Sequence, residues 1–268
     1  MANGGPRGGA ATSSLPRLYV IAGSHACRAA MLMLEHKRVR YRRVELPSGP
    51  HGLIVRMLGF PGSPVPIRRV DGGTHRMLAM LDRAGTVPAL RYGEQRIQRN
   101  REIARFLERE LPDPPLFPAD ADDCAAVEAA EAWGDDALQM AARRILVASA
   151  ALGLENVHER GGRGRLGPLL ARNEPMRLFV SYGAGVSFRA GRTNAAELLA
   201  AIPPLLDRVD ALIAEGVLNG AEPNVADFTI VSSLALLCYR DELAREIAER
   251  PCGAFVDRFL PEPAAARG

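Results

Sequence analysis

Ser24 and Cys27 stand three residues apart where a short apolar run, Leu18-Tyr19-Val20-Ile21, passes through Ala22-Gly23-Ser24-His25 into a stretch rich in Ala, Leu and Met. A hydroxyl just before a helix has a plain structural use, as an N-cap that accepts a backbone N–H. The same hydroxyl can also donate to a thiolate sulfur, while the helix N-terminus adds positive potential that lowers the thiol's pKa. Cys27 has the position of the second cysteine in a Cys-x-x-Cys redox pair, but serine stands where the first would be. Reductase or isomerase chemistry would therefore need thiolate character at Cys27 itself, favoured by the helix dipole and Arg28. The alternative for Cys27 is a small buried hydrophobe.

Two further segments carry candidate chemistry. In Thr86-Val87-Pro88 the proline opens an apolar strand, and it reads as a cis proline whose bend frees the Val87 backbone. Pro66, in Ser63-Pro64-Val65-Pro66, is a rival for that position, but only Pro88 has the right distance to the helix expected at Asn100. Arg99-Asn100 follows, where Asn100 can cap that helix and hold a carboxylate with its backbone amide. Arg99 reads either as a contact to an anion or as a solvated surface charge. His25 can line the site entrance, and the histidines have no metal-ligand spacing, so no metal is expected.

These residues need a scaffold. Leu18–Ile21, a helix from Cys27 to Glu35 and a strand from Val39 to Leu46 form a βαβ unit with parallel strands. Residues 47–85, dense in Pro and Gly, read as an elaborated insertion with a short helix at His75–Leu81. A strand over 86–92, a Gly93-Glu94 turn, a partner strand over 95–98 and an amphipathic helix over 100–110 complete the first domain, residues 17–111. The prolines of 112–121 make that stretch an extended linker. Residues 122–260 read as all-helical, with helices at 122–151, 166–182, 195–215, 225–239 and 241–250. Residues 1–16 and 261–268 read as tails.

Composition bounds the function. At 268 residues, 47% hydrophobic and 24% charged, the chain has room for one large or two modest domains, and its apolar runs are too short to cross a bilayer. The net charge of +3 is spread along the sequence, and the Arg160-Arg163-Arg165 cluster lacks interleaved aromatics, so it reads as a flexible loop and not as a nucleic-acid surface. Cys27, Cys124, Cys238 and Cys252 are too scattered for a disulfide framework, and with no secretion signal in the first residues a cytoplasmic, reduced protein is expected. Lys37 is the only lysine. Such Arg-, Ala- and Gly-rich usage suits a high-GC bacterial genome.

The order β-α-β, β-β-α, Pro-rich linker and helical domain resembles the cytosolic glutathione transferase superfamily over about residues 17–250. Four local matches carry the resemblance: Ser24-His25-Ala26-Cys27-Arg28; Thr86-Val87-Pro88-Ala89-Leu90; the register from Val87 through Arg99-Asn100 to Ile103 and Leu107; and Asn224-Val225-Ala226-Asp227-Phe228, a capping box at the start of a central helix. The resemblance implies an α/β plus all-α fold, a thioredoxin-like domain followed by a helical bundle of the glutathione transferase type. It implies conjugation of a small thiol, glutathione as cosubstrate, to a hydrophobic electrophile, with no bound cofactor, in a homodimer with a role in detoxification. Ser24 would then stabilise the thiolate, while Thr86, Val87, Pro88, Arg99 and Asn100 bind the peptide part. The family carries Glu or Gln, then Ser, where this chain has Arg99 and Asn100, and that departure brings mycothiol in as an alternative thiol. Glu131, Trp133, Asp135 and Asp136 fall where the family's electrophile pocket forms, and equally suit packing and a solvated face. A thiol-dependent reductase or isomerase using Cys27, and a non-catalytic binding protein on the same fold, are the competing readings.

Overall fold

The computed structural model describes residues 15–62, 85–151, 164–167, 190 and 194–263. Among these, strand β1 (Arg17–Val20) buries Leu18, Tyr19 and Val20, and helix α1 (His25–His36) returns across the sheet to β2 (Arg42–Glu45), which pairs with β1 in parallel. Helix α2 (His51–Met57) leads away from β2. Strands β3 (Ala89–Tyr92) and β4 (Gln95–Gln98) form a hairpin, with β3 antiparallel to β1, so the sheet order is β2-β1-β3-β4. The turn at Gly93 has φ of +58°, a conformation that glycine adopts without a Cβ clash. Helix α3 (Asn100–Glu110) closes this domain, burying Ile103, Ala104, Phe106 and Leu107.

The stretch read as an elaborated insertion holds a helix that the sequence reading did not place. Residues 51–57 form α2, whose Val55 is fully buried and whose C-cap is Leu58. Pro50 precedes the helix, a residue that presets its own φ to a helical value. The short helix expected at 75–81, the rival Pro66 and most of the helix expected at 166–182 lie outside the described residues, and residues 164–167 form a turn.

In the second domain, helix α4 (Ala121–Trp133) is capped by Asp120, whose carboxylate accepts the Asp122 and Asp123 amides at 2.9 and 3.1 Å. The single helix expected over 122–151 is interrupted. Gly134–Leu138 winds as one π-helical turn before α5 (Gln139–Ala151). Gly134 abuts the helix beneath it, since a Cβ there would lie 2.9 Å from Ile230 Cγ1, so close packing and a widened turn coincide. The helix expected over 195–215 is likewise two, α6 (Ala195–Ala200) and α7 (Ile202–Ala214), with prolines in the first turn of α7. Helices α8 (Val225–Leu237), α9 (Asp241–Ala248) and α10 (Pro251–Phe259) complete the described chain, α10 being additional to the sequence expectation.

Helix α8 is the hub. All 13 of its residues are buried, and it packs against α1, α4, the π turn, α5 and α10. A helix apolar on every side belongs in the middle of a core. Lys37 fastens the first domain to the linker: its ammonium, wholly buried, donates to Glu108 Oε2 and to the Leu111 carbonyl, each at 2.6 Å, and Glu108 Oε2 also accepts the Leu116 amide at 2.9 Å. His36 Nε2 lies 3.0 Å from the Pro115 carbonyl beside it. No helix among the described residues is long and apolar enough to cross a membrane.

Replacing Lys37 with Met is expected to lower unfolding stability by about 2 kcal/mol, because two charge-assisted hydrogen bonds are lost at a buried junction. Urea denaturation of the variant, with an unchanged m-value, checks this.

Candidate functional site

The strand register gathers the candidate residues at one end of the sheet. The C-terminal end of β1 leads to Ser24, and β3, antiparallel to it and paired Tyr19 to Ala89, begins beside the same end. Ala89 pairs in turn with Gln98, so Pro88 and Arg99 are neighbours, and the Arg99 amide donates to the Pro88 carbonyl at 3.1 Å. The Val87–Pro88 peptide bond is cis, as the sequence predicts. Val20 pairs with Glu45, so β2 also ends here and delivers His51, the first residue of α2. The start of α1, the cis-proline loop and the start of α3 therefore face a common space at the carboxyl end of β1, where open α/β sheets bind ligands.

Ser24 caps α1. Its Oγ accepts the Cys27 amide at 3.2 Å, and the Arg28 amide bonds the Ser24 carbonyl at 2.9 Å. Since the hydroxyl oxygen acts as an acceptor in the cap, its own proton can still be donated. Structural and chemical uses of Ser24 are thus compatible.

Gln98, which the sequence reading missed, knits the cis-proline loop to the rest. Its amide nitrogen donates to the Thr86 carbonyl at 2.9 Å, and its Oε1 accepts the Gly62 amide at 2.9 Å across 36 residues of sequence. Alternation puts Gln98 on the same face as Arg96 and opposite Ile97, where a polar residue is ordinary, so the sequence carries no signal for its burial. Thr86 itself places Oγ1 3.4 Å from the Val87 carbonyl, and the Val87 side chain is buried.

The start of α3 corrects one expectation. Asn100 does not cap the helix: Arg99 is the N-cap, with φ of +72° and no capping hydrogen bond from its side chain, and Asn100 is the first helical residue. The Arg99 amide is bonded to the Pro88 carbonyl, the helix begins at Asn100, and Arg99 is a non-glycine residue in the left-handed half of conformational space, a strain that concentrates at functional sites. The Asn100 side chain is buried, and its Oδ1 has no hydrogen-bond partner among the described residues.

The second domain supplies a charged wall. Glu131 on α4, with a wholly buried side chain, receives Arg105 at 2.5 Å and lies 3.7 Å from Arg101, tying α4 to α3. Burial raises its pKa and Arg105 opposes the shift. The π turn carries Asp135, whose carboxyl is pushed up to about 7 by burial and by Glu131, against the charges of Arg101 and Arg99. Asp135 Oδ1 accepts from Gln139 Nε2 at 3.0 Å, and Gln139 Oε1 accepts from Arg143 at 3.1 Å. Trp133 is half-buried and Asp136 is exposed.

His25 is buried at the same junction. Desolvation pushes its imidazole well below the usual histidine range, the Arg143 charge adds to this, and the Gln139 backbone opposes it. Burial and Arg143 also lower His51. Cys27 lies in the core, 2% exposed, and burial pushes its thiol up to about 11, with the Ser24 hydroxyl, the Ile21 backbone and Arg143 only partly offsetting the shift. That is the opposite of the thiolate character a Cys27-based reductase needs. The Arg160-Arg163-Arg165 loop is described only at Arg165, which is held by Asp257 at 2.7 Å and Glu262 at 3.0 Å, so its guanidinium serves the fold.

No family model matches the sequence, and a search of curated proteins finds no match. Solved structures do match. A glutathione transferase, GSTFuA3, from Phanerochaete chrysosporium is 17% identical with a TM-score of 0.63, over 95% of this chain and 99% of that one. The chain has the glutathione transferase fold. A second such enzyme, from Ceriporiopsis subvermispora and solved in complex with glutathione, is 16% identical with a TM-score of 0.62, covering 92% of this chain and 97% of its own. The β-etherase LigF of Sphingobium sp. strain SYK-6 is 15% identical with a TM-score of 0.60, over 94% and 97% of the two chains. The thioredoxin-like domain, here the four-stranded sheet with α1, α2 and α3, and the helical second domain are both part of that fold.

A brief exposure of the folded protein to a thiol-specific alkylating reagent near neutral pH is expected to spare Cys27 and modify it only after unfolding, since its thiolate fraction becomes appreciable only as the pH approaches 11. Peptide mass spectrometry checks this, with the half-buried Cys124 as the internal comparison.

Proposed function

We propose that this protein activates a small peptide thiol of the glutathione type and conjugates it to a hydrophobic electrophile held between the two domains. The observation that carries the reading is the convergence, at one sheet end, of the Ser24 hydroxyl, the cis Val87–Pro88 loop and the strained Arg99-Asn100 start of α3. The glutathione complex of the Ceriporiopsis protein, which shares the fold, is consistent with it.

In this mechanism the Ser24 hydroxyl donates to the thiol sulfur and the positive end of α1 favours its anionic form. The Val87 backbone, freed by the cis proline, pairs with the peptide portion. The first amides of α3, with Arg99, receive a carboxylate at the γ-glutamyl end. Arg99 has the wrong sign for the ammonium group of that end. Asp135, which lies in the field of Arg99 and Arg101, is the acid that takes its place. The thiolate then attacks the electrophile, with proximity and fixed dipoles supplying most of the acceleration. The Cys27-based reductase has no comparable support, because its thiol is buried and hard to ionise.

Calorimetric titration of the protein with glutathione, and with mycothiol in parallel, tests the reading. Glutathione binding that weakens about tenfold in Asn100→Ala is expected, as is a Ser24→Ala variant that still binds but loses about 10- to 100-fold in kcat/KM, the worth of one hydrogen bond to a charged sulfur. Cys27→Ser is expected to be silent. Binding of mycothiol alone would reassign the cosubstrate, and no heat with either thiol would overturn the proposal. Ser24→Ala also removes a helix cap worth about 1 kcal/mol, so its melting temperature is measured alongside.

A further inference from the structure

The strand register lines up four arginines across the sheet. Arg42 of β2 pairs with Arg17 of β1, Arg17 with Arg91 of β3, and Arg91 with Arg96 of β4. Residues paired in this way project from one face, so the row crosses all four strands and is about 15 Å long at the usual strand spacing. The neighbouring row on that face is Val44, Tyr19, Ala89 and Gln98, where Tyr19 packs edge-on to Phe60 and Gln98 accepts the Gly62 amide. The chain leaving α2 thus covers this face next to the thiol cleft, and the arginines occupy its other end.

Like charges directly opposite one another destabilise a sheet. Charge on β2 has a plain use, since it keeps an edge strand from pairing with other chains, but β1 and β3 are interior strands and Arg17 and Arg91 have no such use. Acidic compensation is slight. Among the described residues Arg17 and Arg42 make no ion pair, while Arg96 donates to the Leu58 and Glu94 carbonyls at 3.0 and 3.2 Å. Arg91 Nε donates to the Gly93 carbonyl at 3.2 Å, and the carboxylate beside it, Glu94, stands 3.7 Å from Nη2 with a side chain 92% exposed. Arg38 and Arg40, exposed just ahead of β2, add to the field, whereas Arg43 alternates to the other face and pairs with Glu45 at 3.4 Å. A local rule broken inside a sheet marks a place where something other than stability is served.

A cavity of about 70 Å³ opens between Leu15, Arg17, Arg91 and Gly93. We propose that this cavity binds the phosphoryl group of an amphipathic phosphomonoester, with Arg17 and Arg91 on either side of it, Arg42 beside Arg17, and Leu15 against its apolar body. A phosphomonoester carries a charge of about −2 near neutral pH and three acceptor oxygens, which two guanidinium forks match in charge and geometry. A carboxylate would leave half of that positive charge unanswered. The apolar part of the ligand follows from the surroundings: the exposed large hydrophobic residues among those described are Leu15, at the cavity, and Leu53, Met57 and Leu58 of α2 and its C-cap, where the Leu58 carbonyl holds Arg96. A lipid head group and a soluble ester share this chemistry.

The site is separate from the thiol cleft. Arg17 begins β1 and Ser24 follows its far end, so the strand stands between them and neither reading depends on the other.

The test uses two probes on the full-length protein at constant ionic strength. Phenyl phosphate, a soluble ester, is titrated by calorimetry, and phosphatidylcholine vesicles with and without phosphatidic acid are assayed by co-sedimentation. Arg17→Gln and Arg91→Gln are each expected to weaken binding about tenfold, the worth of one charge-assisted contact, and Glu94→Gln to strengthen it severalfold. Since both Gln variants relieve like-charge opposition, they are expected to melt no lower than the wild type without ligand and to lose most of the upward Tm shift that ligand gives the wild type. Binding of phenyl phosphate that follows this pattern supports the site with a soluble ester as its source. Binding only of vesicles that contain phosphatidic acid, lost in the same variants, supports it with a lipid head group. If neither probe binds the wild type, or binding persists undiminished in both Gln variants, the inference falls and the conjugation reading is untouched. Should Arg17→Gln melt lower and fail to bind, Arg17→Lys, which keeps the charge, decides: binding within a few-fold of the wild type supports the site, and loss of binding overturns it.

Discussion

Burying α8 on every side sets the terms for the rest of the molecule. A helix surrounded by protein must have its first-turn amides satisfied without water, since each one left bare costs on the order of 1–3 kcal/mol. The chain meets this with neighbours in sequence and one distant group. The Asn224 carboxamide oxygen accepts the Ala226 and Asp227 amides, the Asp227 carboxylate accepts Asn224 and Asn219, and the Leu116 carbonyl of the linker accepts the Val225 amide at 2.9 Å. Thr229 and Ser233 return their hydroxyls to carbonyls four residues back, so these polar side chains add no unsatisfied donor to the core. Because α1 lies directly on α8, fixing α8 also fixes the helix whose N-terminus carries Ser24.

The same constraint explains why the candidate site straddles two domains. The first domain provides amides, a hydroxyl, the cis-proline loop and the cations Arg99 and Arg101. The acids Glu131 and Asp135 come from α4 and the π turn, which pack on α8. Gly134 lets α8 approach, the widened turn follows, and Asp135 is carried toward Arg99 and Arg101. Glu131 with Arg101 and Arg105 then bridges α4 to α3 beside it. A buried bridge of this kind adds little net stability, but it discriminates strongly among ways of docking the two domains, because a wrong docking would strand the carboxylate.

Much of this was legible in the sequence. The βαβ start, the hairpin, the Pro-rich junction, the cis proline and the capping box at Asn224 all follow from local signals, periodicity, turn chemistry and capping, that tertiary contacts reinforce. What was not legible depends on contacts between distant segments. Helix α2 lay within a Pro- and Gly-dense stretch whose local composition argued for loop, and the burial of Val55 outweighs that preference. The π turn has no composition of its own, since it arises where Gly134 meets Ile230. Asn100 has the residue type of a cap, but the hydrogen bond between Arg99 and Pro88 moves the cap by one position. Cys27 looked poised for chemistry because helix dipole and Arg28 are visible in sequence, whereas the burial that outweighs them is not.

Arg99 shows how one substitution becomes intelligible only in three dimensions. Along the sequence it is a lone cation where the resembled pattern has an acid or amide, which reads as loss of a ligand contact. In the fold, its charge acts on Asp135 of the π turn, so in the proposed function the acid comes from the second domain and the cation from the first. An exchange of sign across a cleft keeps local charge balanced while reversing which domain presents each group. A carboxylate buried in that position is costly unless cations stand near it, and Arg99 and Arg101 are those cations. Burial and Glu131 raise the Asp135 carboxyl while Arg101 and Arg99 hold it down, so the packing of the second domain against α3 sets the electrostatics at the start of that helix.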